Sequence, residues 1–231
     1  MMCGRFVGYR NVEELLIHFP IDKTACDTTA NYNVAPSQEV LAIVKRNDEN
    51  WLDKFPWGLV PFWAKDISIG NKLINARAET VDTKPSFRNA FKKRRCLIPA
   101  DGFYEWQGAR GKKQPVYLTL PSQKPFAFAG LWEAWTPKQP EDPVYKSCTI
   151  ITTTASASVR PIHHRMPVIL KPEKYNRWLS PECSDPVELK NIIGNWILTE
   201  LVGRPVSKQV NAAHNNAPSN IKPLTQMQID L

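Results

Sequence analysis

Apolar positions in this chain gather in short runs bounded by Pro and Gly more often than they recur at helical spacing. Val40 to Val44, Val116 to Leu120, Phe126 to Leu131, Cys148 to Thr153 and Val168 to Leu170 are short apolar or alternating runs, bounded by Pro and Gly, that predict strands. Helical spacing is confined to three stretches. Val12, Leu15, Leu16 and Phe19 keep it until Pro20, behind an Asn11/Glu14 pair that reads as a capping box. Glu173 to Leu179 and Pro186 to Leu198 carry the other two, the second with Asp185 as cap ahead of Pro186. The strands are spaced too irregularly for regular βαβ units. The expected architecture is therefore α+β: a single domain over residues 1–231 with a mixed, barrel-like β-sheet core flanked by a few helices. Twenty scattered prolines, no repeat and no Gly/Ser-rich stretch leave no evident linker.

Composition narrows the class. The chain has 231 residues, 42% hydrophobic, 23% charged and 10% aromatic, which excludes disorder, collagen and coiled coil. Five cysteines lie at least 23 residues apart, so there is no CxxC pair and no zinc-knuckle spacing; free thiols in a reducing compartment are expected, with no metal and no organic cofactor. The opening MMCGRFVGYR lacks the apolar run of a secretory signal, and no stretch approaches the ~20 apolar residues of a membrane span. The expectation is a cytoplasmic monomer with no membrane partner.

Charge adds a partner class. Thirty Lys and Arg against 22 Asp and Glu give a net +8, and residues 84–113 alone carry +7 through Lys84, Arg88, Lys92, Lys93, Arg94, Arg95, Arg110, Lys112 and Lys113 against Asp101 and Glu105. Such a run is either a solvated face or an electrostatic footprint for an anionic partner. Trp57, Trp63, Trp106, Trp132, Trp135, Phe87 and Tyr104 accompany it, and exposed members of that set could stack unpaired bases, although most should be core.

Four features could carry chemistry. Cys3 lies almost at the N-terminus; if processing made it residue one, it would hold a free α-amine beside a thiol, a 1,2-aminothiol able to close a thiazolidine on an aldehyde. An α-amine of pKa about 7.7–8.0 keeps roughly a tenth of itself unprotonated at neutral pH, far more than a lysine near 10.4. Without processing, Cys3 is a small residue opening the first strand. Glu105, among Phe103, Tyr104 and Trp106, reads as a buried acid or base, or as a strand-edge carboxylate. His163 reads as a proton carrier or a satisfied loop histidine. Asn75 with Arg77 could supply an amide hydrogen bond and an anion clamp, or half a salt bridge.

Together with their surroundings these residues form an ordered set: MCGRF at 2–6, NVAP at 33–36, WGLVPFWAK at 57–65, NARAET at 75–80, SFR at 86–88, RCLIPADGFYEW at 95–106, FAGLW at 128–132, ITT at 151–153, IHHRMP at 162–167 and PVSKQVN at 205–211. The set resembles the SRAP family, the SOS-response-associated peptidases or abasic-site processing proteins, from the first residues to about Asn211.

That resemblance implies a single-domain protein of the DNA damage response that binds single-stranded DNA and is nucleoid-associated when bound to DNA. It implies a covalent thiazolidine crosslink between the terminal cysteine and the ring-opened abasic sugar, shielding the lesion, with associated autopeptidase or lyase-type chemistry. By motif, Cys3 is the nucleophile, Asn75 orients it, Glu105 moves protons during imine formation, and His163 opens the sugar and reverses the link. Arg77 holds a phosphate, Thr152 hydrogen-bonds near the lesion, Arg5 faces the DNA backbone, and Arg88, Trp57 and Trp63 contact DNA. Two departures stand out. Met1 and Met2 precede Cys3 where the family has one methionine, and His164 stands where the family often has Asp. In an extended segment His164 should face away from His163. A non-covalent single-strand binding module and a thiol autopeptidase are the alternative readings.

Overall fold

Period-two alternation along the strands distributes the apolar side chains among three cores, and the layers follow from that. In the computed structural model, which describes residues 3–109, 111–139, 141–195, 198 and 200–224, the chain opens with β1 (Phe6–Gly8), α1 (Val12–His18), β2 (Lys23–Thr24) and β3 (Asn31–Val34). Then come β4 (Glu39–Arg46), β5 (Glu49–Pro56), β6 (Asn75–Arg77), α2 (Arg88–Lys93), β7 (Arg95–Ala100), β8 (Gly102–Gln107) and β9 (Gln114–Thr119). The rest comprises β10 (Phe126–Trp135), β11 (Tyr145–Thr154), β12 (Arg165–Pro167), β13 (Ile169–Leu170), α3 (Tyr175–Leu179), α4 (Pro186–Asn195) and β14 (Val202–Pro205).

Five strands form one sheet, in the order β14-β9-β8-β1-β3. Nine form the other: β12-β11-β10-β7-β4-β5-β2 runs across it, with β13 paired to β10 and β6 paired in parallel to β11. On the larger sheet, Val40, Ala42, Val44, Cys96 and Ile98 point to a core shared with Phe6, Phe103 and Leu118 of the smaller one. Their neighbours Ile43 and Leu97 point the other way, into a core closed by Leu15, Phe91, Trp178 and Ile192 of the helices. The smaller sheet turns its other face, through Val7, Tyr104 and Tyr117, to Val206 and Val210 of the C-terminal segment. The layers are thus segment, small sheet, large sheet, helices.

This arrangement corrects the expected barrel. The larger sheet buries apolar residues on both faces, whereas a closed barrel has one interior, and both sheets keep edges, β14 and β3 on one, β12 and β2 on the other. The predicted helix at 12–19 forms with its capping box complete. Residues 173–179 divide into a 3-10 turn, Pro172–Lys174, and α3. The helix expected to reach Leu198 is described to Asn195; the Leu198 N–H instead bonds to the Ile169 carbonyl, and residues 196 and 197 lie outside the described set. Among the described residues no helix is long and apolar enough to cross a membrane. All five cysteines are free thiols.

Candidate active site

β1 and β8 pair antiparallel, with Phe6 opposite Phe103 and the Arg5 carbonyl accepting from the Tyr104 N–H, so the residues ahead of β1 run back along β8 toward Glu105. Along β8, Phe103 enters the inter-sheet core and Tyr104 the outer one, and Glu105 follows on the Phe103 side. There Glu105, 1% exposed, accepts the Cys3 backbone N–H on Oε1 at 2.8 Å. Cys3 itself is buried and holds φ at +36°, the left-handed region that non-glycine residues rarely occupy.

Two further strands close the site. β6 lies parallel to β11, placing Asn75 beside Ile150 and Arg77 beside Thr152. Alternation buries Ala76 and turns Asn75 and Arg77 to the opposite face. The Asn75 amide donates to the Cys3 carbonyl at 3.4 Å, and Arg77 is exposed. β12 pairs with β11, and the turn before it delivers His163, whose Nδ1 lies 3.9 Å from Glu105 Oε1 and accepts from the Arg165 N–H at 3.1 Å.

Burial governs the proton affinities here. It pushes the Cys3 thiol well above its ordinary value, and the neighbouring Glu105 charge adds to that, against a smaller opposing pull from Arg165. Glu105 is likewise raised by burial, opposed by His163 and by its hydrogen bonds from Cys3. Burial thus favours the neutral thiol on Cys3 and tightens the hold of Glu105 on a proton. Gly4, Arg5, Glu105, Trp106 and Lys113 line a cavity of about 280 Å³ beside them.

Cys3, Asn75, Glu105 and His163, far apart in sequence, are thus brought together. Other expected residues are placed differently. Trp57 is 1% exposed, in the inter-sheet core, with its indole donating to the Ile74 carbonyl, so it offers no stacking face. Trp63 is 47% exposed and, with Phe62, Pro85, Arg88, Asn89 and Lys92, borders a groove of about 600 Å³. Thr152 is buried; its Oγ1 donates to the Ala76 carbonyl at 3.4 Å and receives an Arg165 N–H at 3.3 Å. Arg5, expected on the DNA backbone, is tied internally to Asn33 Oδ1 and the Val210 carbonyl, both at 2.7 Å.

His164 overturns its expected orientation. Its ring stacks on His163, with centroids 4.4 Å apart and planes 30° from parallel, because the two lie in a turn rather than in a strand. The basic segment is also less uniform than its sequence. Arg95 is 3% exposed, and Arg94 pairs with buried Glu133, while Lys84, Arg88, Lys92, Lys93, Lys112 and Lys113 are exposed. Arg110 lies outside the described residues, as do Met1 and Met2.

Sequence reasoning did not single out Arg165, which forks onto Glu79 and the Thr152 carbonyl close enough to bias the Cys3 thiol. Its only signal was a place in IHHRMP. Among the described residues no cluster of three His, Cys, Asp or Glu could hold a metal ion.

The family model described as SOS response associated peptidase (SRAP) matches residues 2–213. Abasic site processing protein YoqW of Bacillus subtilis (strain 168) is 44% identical over 225 residues, covering 96% of this chain and 99% of that protein. Abasic site processing protein YedK of Escherichia coli (strain K12) is 30% identical over 234 residues, covering 96% of this chain and all of that one. A solved structure from Bacteroides thetaiotaomicron superposes with a TM-score of 0.82 over 96% of this chain and all of its own at 23% identity, which shows the shared fold.

Proposed function

The chain belongs to the SRAP family, and from that membership we propose that it processes abasic sites by binding single-stranded DNA and crosslinking to the lesion through Cys3. Residues 1–231 act as one SRAP domain. The observation that carries the reading is the 2.8 Å bond from the Cys3 nitrogen to Glu105 Oε1, with His163 behind it.

The chemistry requires a free α-amine, so Met1 and Met2 must first be removed; a peptide nitrogen cannot form the product. The abasic sugar is mostly a closed hemiacetal. His163 assists the opening that exposes the C1′ aldehyde. Glu105 takes a proton from the Cys3 ammonium, and the freed amine adds to C1′ to give a carbinolamine. Glu105 returns the proton to the departing hydroxyl, water leaves, and an iminium remains. The Cys3 sulfur then adds to the same carbon as its thiol proton passes to Glu105, closing a thiazolidine. The balance is one aldehyde and one aminothiol giving one ring and one water. Positioned proton transfer of this kind typically contributes 10²–10⁴-fold, and two bonds to C1′ resist hydrolysis better than an imine.

Asn75 holds the Cys3 carbonyl, and so the direction of its amine. Arg77, exposed on the same face of β6, takes a phosphate beside the lesion. The groove beside Trp63 and Arg88 carries the strand by stacking and charge. The reading requires no metal or cofactor.

The test is a heat-stable adduct between the purified protein and a single strand holding one abasic site. Cys3→Ala should abolish it; unchanged crosslinking by that variant defeats the reading. The exposed groove favours one rival, a non-covalent single-strand binding module, which predicts equal retention of intact and abasic strands and no covalent species. The buried thiol beside Glu105 and the strained φ of Cys3 favour another, a thiol autopeptidase. It predicts loss of the leading methionines, measurable as intact mass, without DNA capture.

A further inference from the structure

NVAP and PVSKQVN meet in the folded protein, and the mechanism above uses neither. Asn33 of the first donates from Nδ2 to the carbonyls of Val210, Ala212 and Asn215 at 3.2, 3.0 and 2.9 Å, while its Oδ1 accepts from Arg5. Arg5 also donates to the carbonyls of Val210 and Asn211. Buried Val206 and Val210 seat the segment on the outer face of the small sheet. The segment ends its grip on the site at a single side chain: Asn211 Oδ1 accepts the Trp106 indole N–H at 2.7 Å.

Trp106 follows Glu105 directly and borders the same cavity, with Gly4, Arg5 and Lys113. An indole has one N–H, and committing that donor favours the ring orientation that makes the bond. We infer that Asn211 is a positioning residue for the abasic-site reaction, fixing the Trp106 ring as a wall of the cavity into which Glu105 works. The inference rests on the reading proposed above, because it assigns that cavity to the opened sugar. Its physical content is proximity: a wall that holds the sugar keeps C1′ in line with the Cys3 amine, and small misplacements of reacting atoms cost rate rather than binding.

Crosslinking time courses on an abasic single strand, with the full chain carrying its mature cysteine, test this. Asn211→Ala should lower the rate at saturating DNA about tenfold, with the half-saturating DNA concentration moving less than about twofold. Asn211→Asp keeps an acceptor for the indole and should retain most of the rate. In a Trp106→Phe background, which has no indole N–H, adding Asn211→Ala should cost nothing more. A wild-type rate in Asn211→Ala overturns the inference, as does equal loss in the Ala and Asp variants, which would make the contact a prop for the fold alone. A wild-type protein that forms no adduct defeats the parent reading and takes this inference with it; an active wild type with an indifferent Asn211 defeats only this one.

Discussion

The Cys3 nitrogen and the Glu105 carboxylate are 102 positions apart and share a 2.8 Å hydrogen bond. The pairing of β1 with β8 creates it, and burial makes it matter, because a carboxyl group with little access to water exchanges protons mainly with its neighbours. One contact thus links the antiparallel register of a sheet to the activation of an amine.

Glu105 should cost stability while serving the reaction. Its proton affinity is raised in the folded chain above the ordinary value of 4.5, chiefly by burial. The folded state therefore binds the proton more tightly than the unfolded state. The resulting stability is fully present below the unfolded value and is lost as pH rises through the folded one. In the chain that retains its methionines, Glu105→Gln should melt higher than wild type at neutral pH, by about 2–4 °C for each kcal/mol recovered. The gap should close toward pH 4.5 and below. Melting curves across that range decide it, and a gap independent of pH would contradict the assignment. In the processed protein the same change should slow crosslinking about 10²–10⁴-fold.

Arg88 and Arg95 should separate binding from folding. Arg88 is exposed on the groove, and Arg88→Ala should reduce the log–log salt slope of single-strand binding by about 0.7 while leaving the melting temperature in place. Arg95 donates to the carbonyls of Phe91, Lys92, Trp178 and Ser180, at the ends of α2 and α3. Arg95→Ala leaves those acceptors unpaired and should cost at least about 3 kcal/mol in urea denaturation. Titrations at several salt concentrations beside unfolding curves would show whether the two effects trade places.

Gly58 should not tolerate a side chain. Its φ is +148°, and a Cβ there would sit 2.7 Å from the Gly70 carbonyl oxygen, a backbone atom with no rotamer to change. Gly58→Ala should destabilise the protein by about 1–3 kcal/mol, and by shifting the loop that carries Trp63 it should weaken single-strand binding as well. Chemical denaturation and strand titration of the same variant measure both; wild-type stability would show that the loop can yield.

His164 should support His163 through its face. An aromatic pair is worth about 0.5–1.5 kcal/mol, or roughly 2- to 10-fold in rate. His164→Ala should slow release of the adduct by that factor, and His164→Phe should restore it because a ring still covers His163. Release can be followed as transfer of the protein to a second, labelled abasic strand. Equal rates in Ala and Phe would argue that the stack is incidental.

The sequence by itself determined what local rules govern. The Asn11/Glu14 cap starts a helix because two side chains three residues apart satisfy each other's backbone donors, and that needs no partner element. Val40 to Val44 and Phe126 to Leu131 marked strands because short unbroken apolar runs bounded by turn residues are too brief for a buried helix. The motifs likewise marked Cys3, Asn75, Glu105 and His163 before any distance was known. The tertiary structure decided which residues meet. Alternation names faces but not what covers them, so an open two-sheet sandwich with helices behind it looked like a barrel. A run of cations reads the same whether a guanidinium meets water or four carbonyls, so Arg95 was indistinguishable from Arg88. Trp57 and Trp63 share one motif, and only the packing of two sheets buried the first and exposed the second. Beyond Asn33, Arg5 found its carbonyl partners 205 and 206 residues away, in a segment whose position depends on the outer face of a sheet that no local pattern could pair.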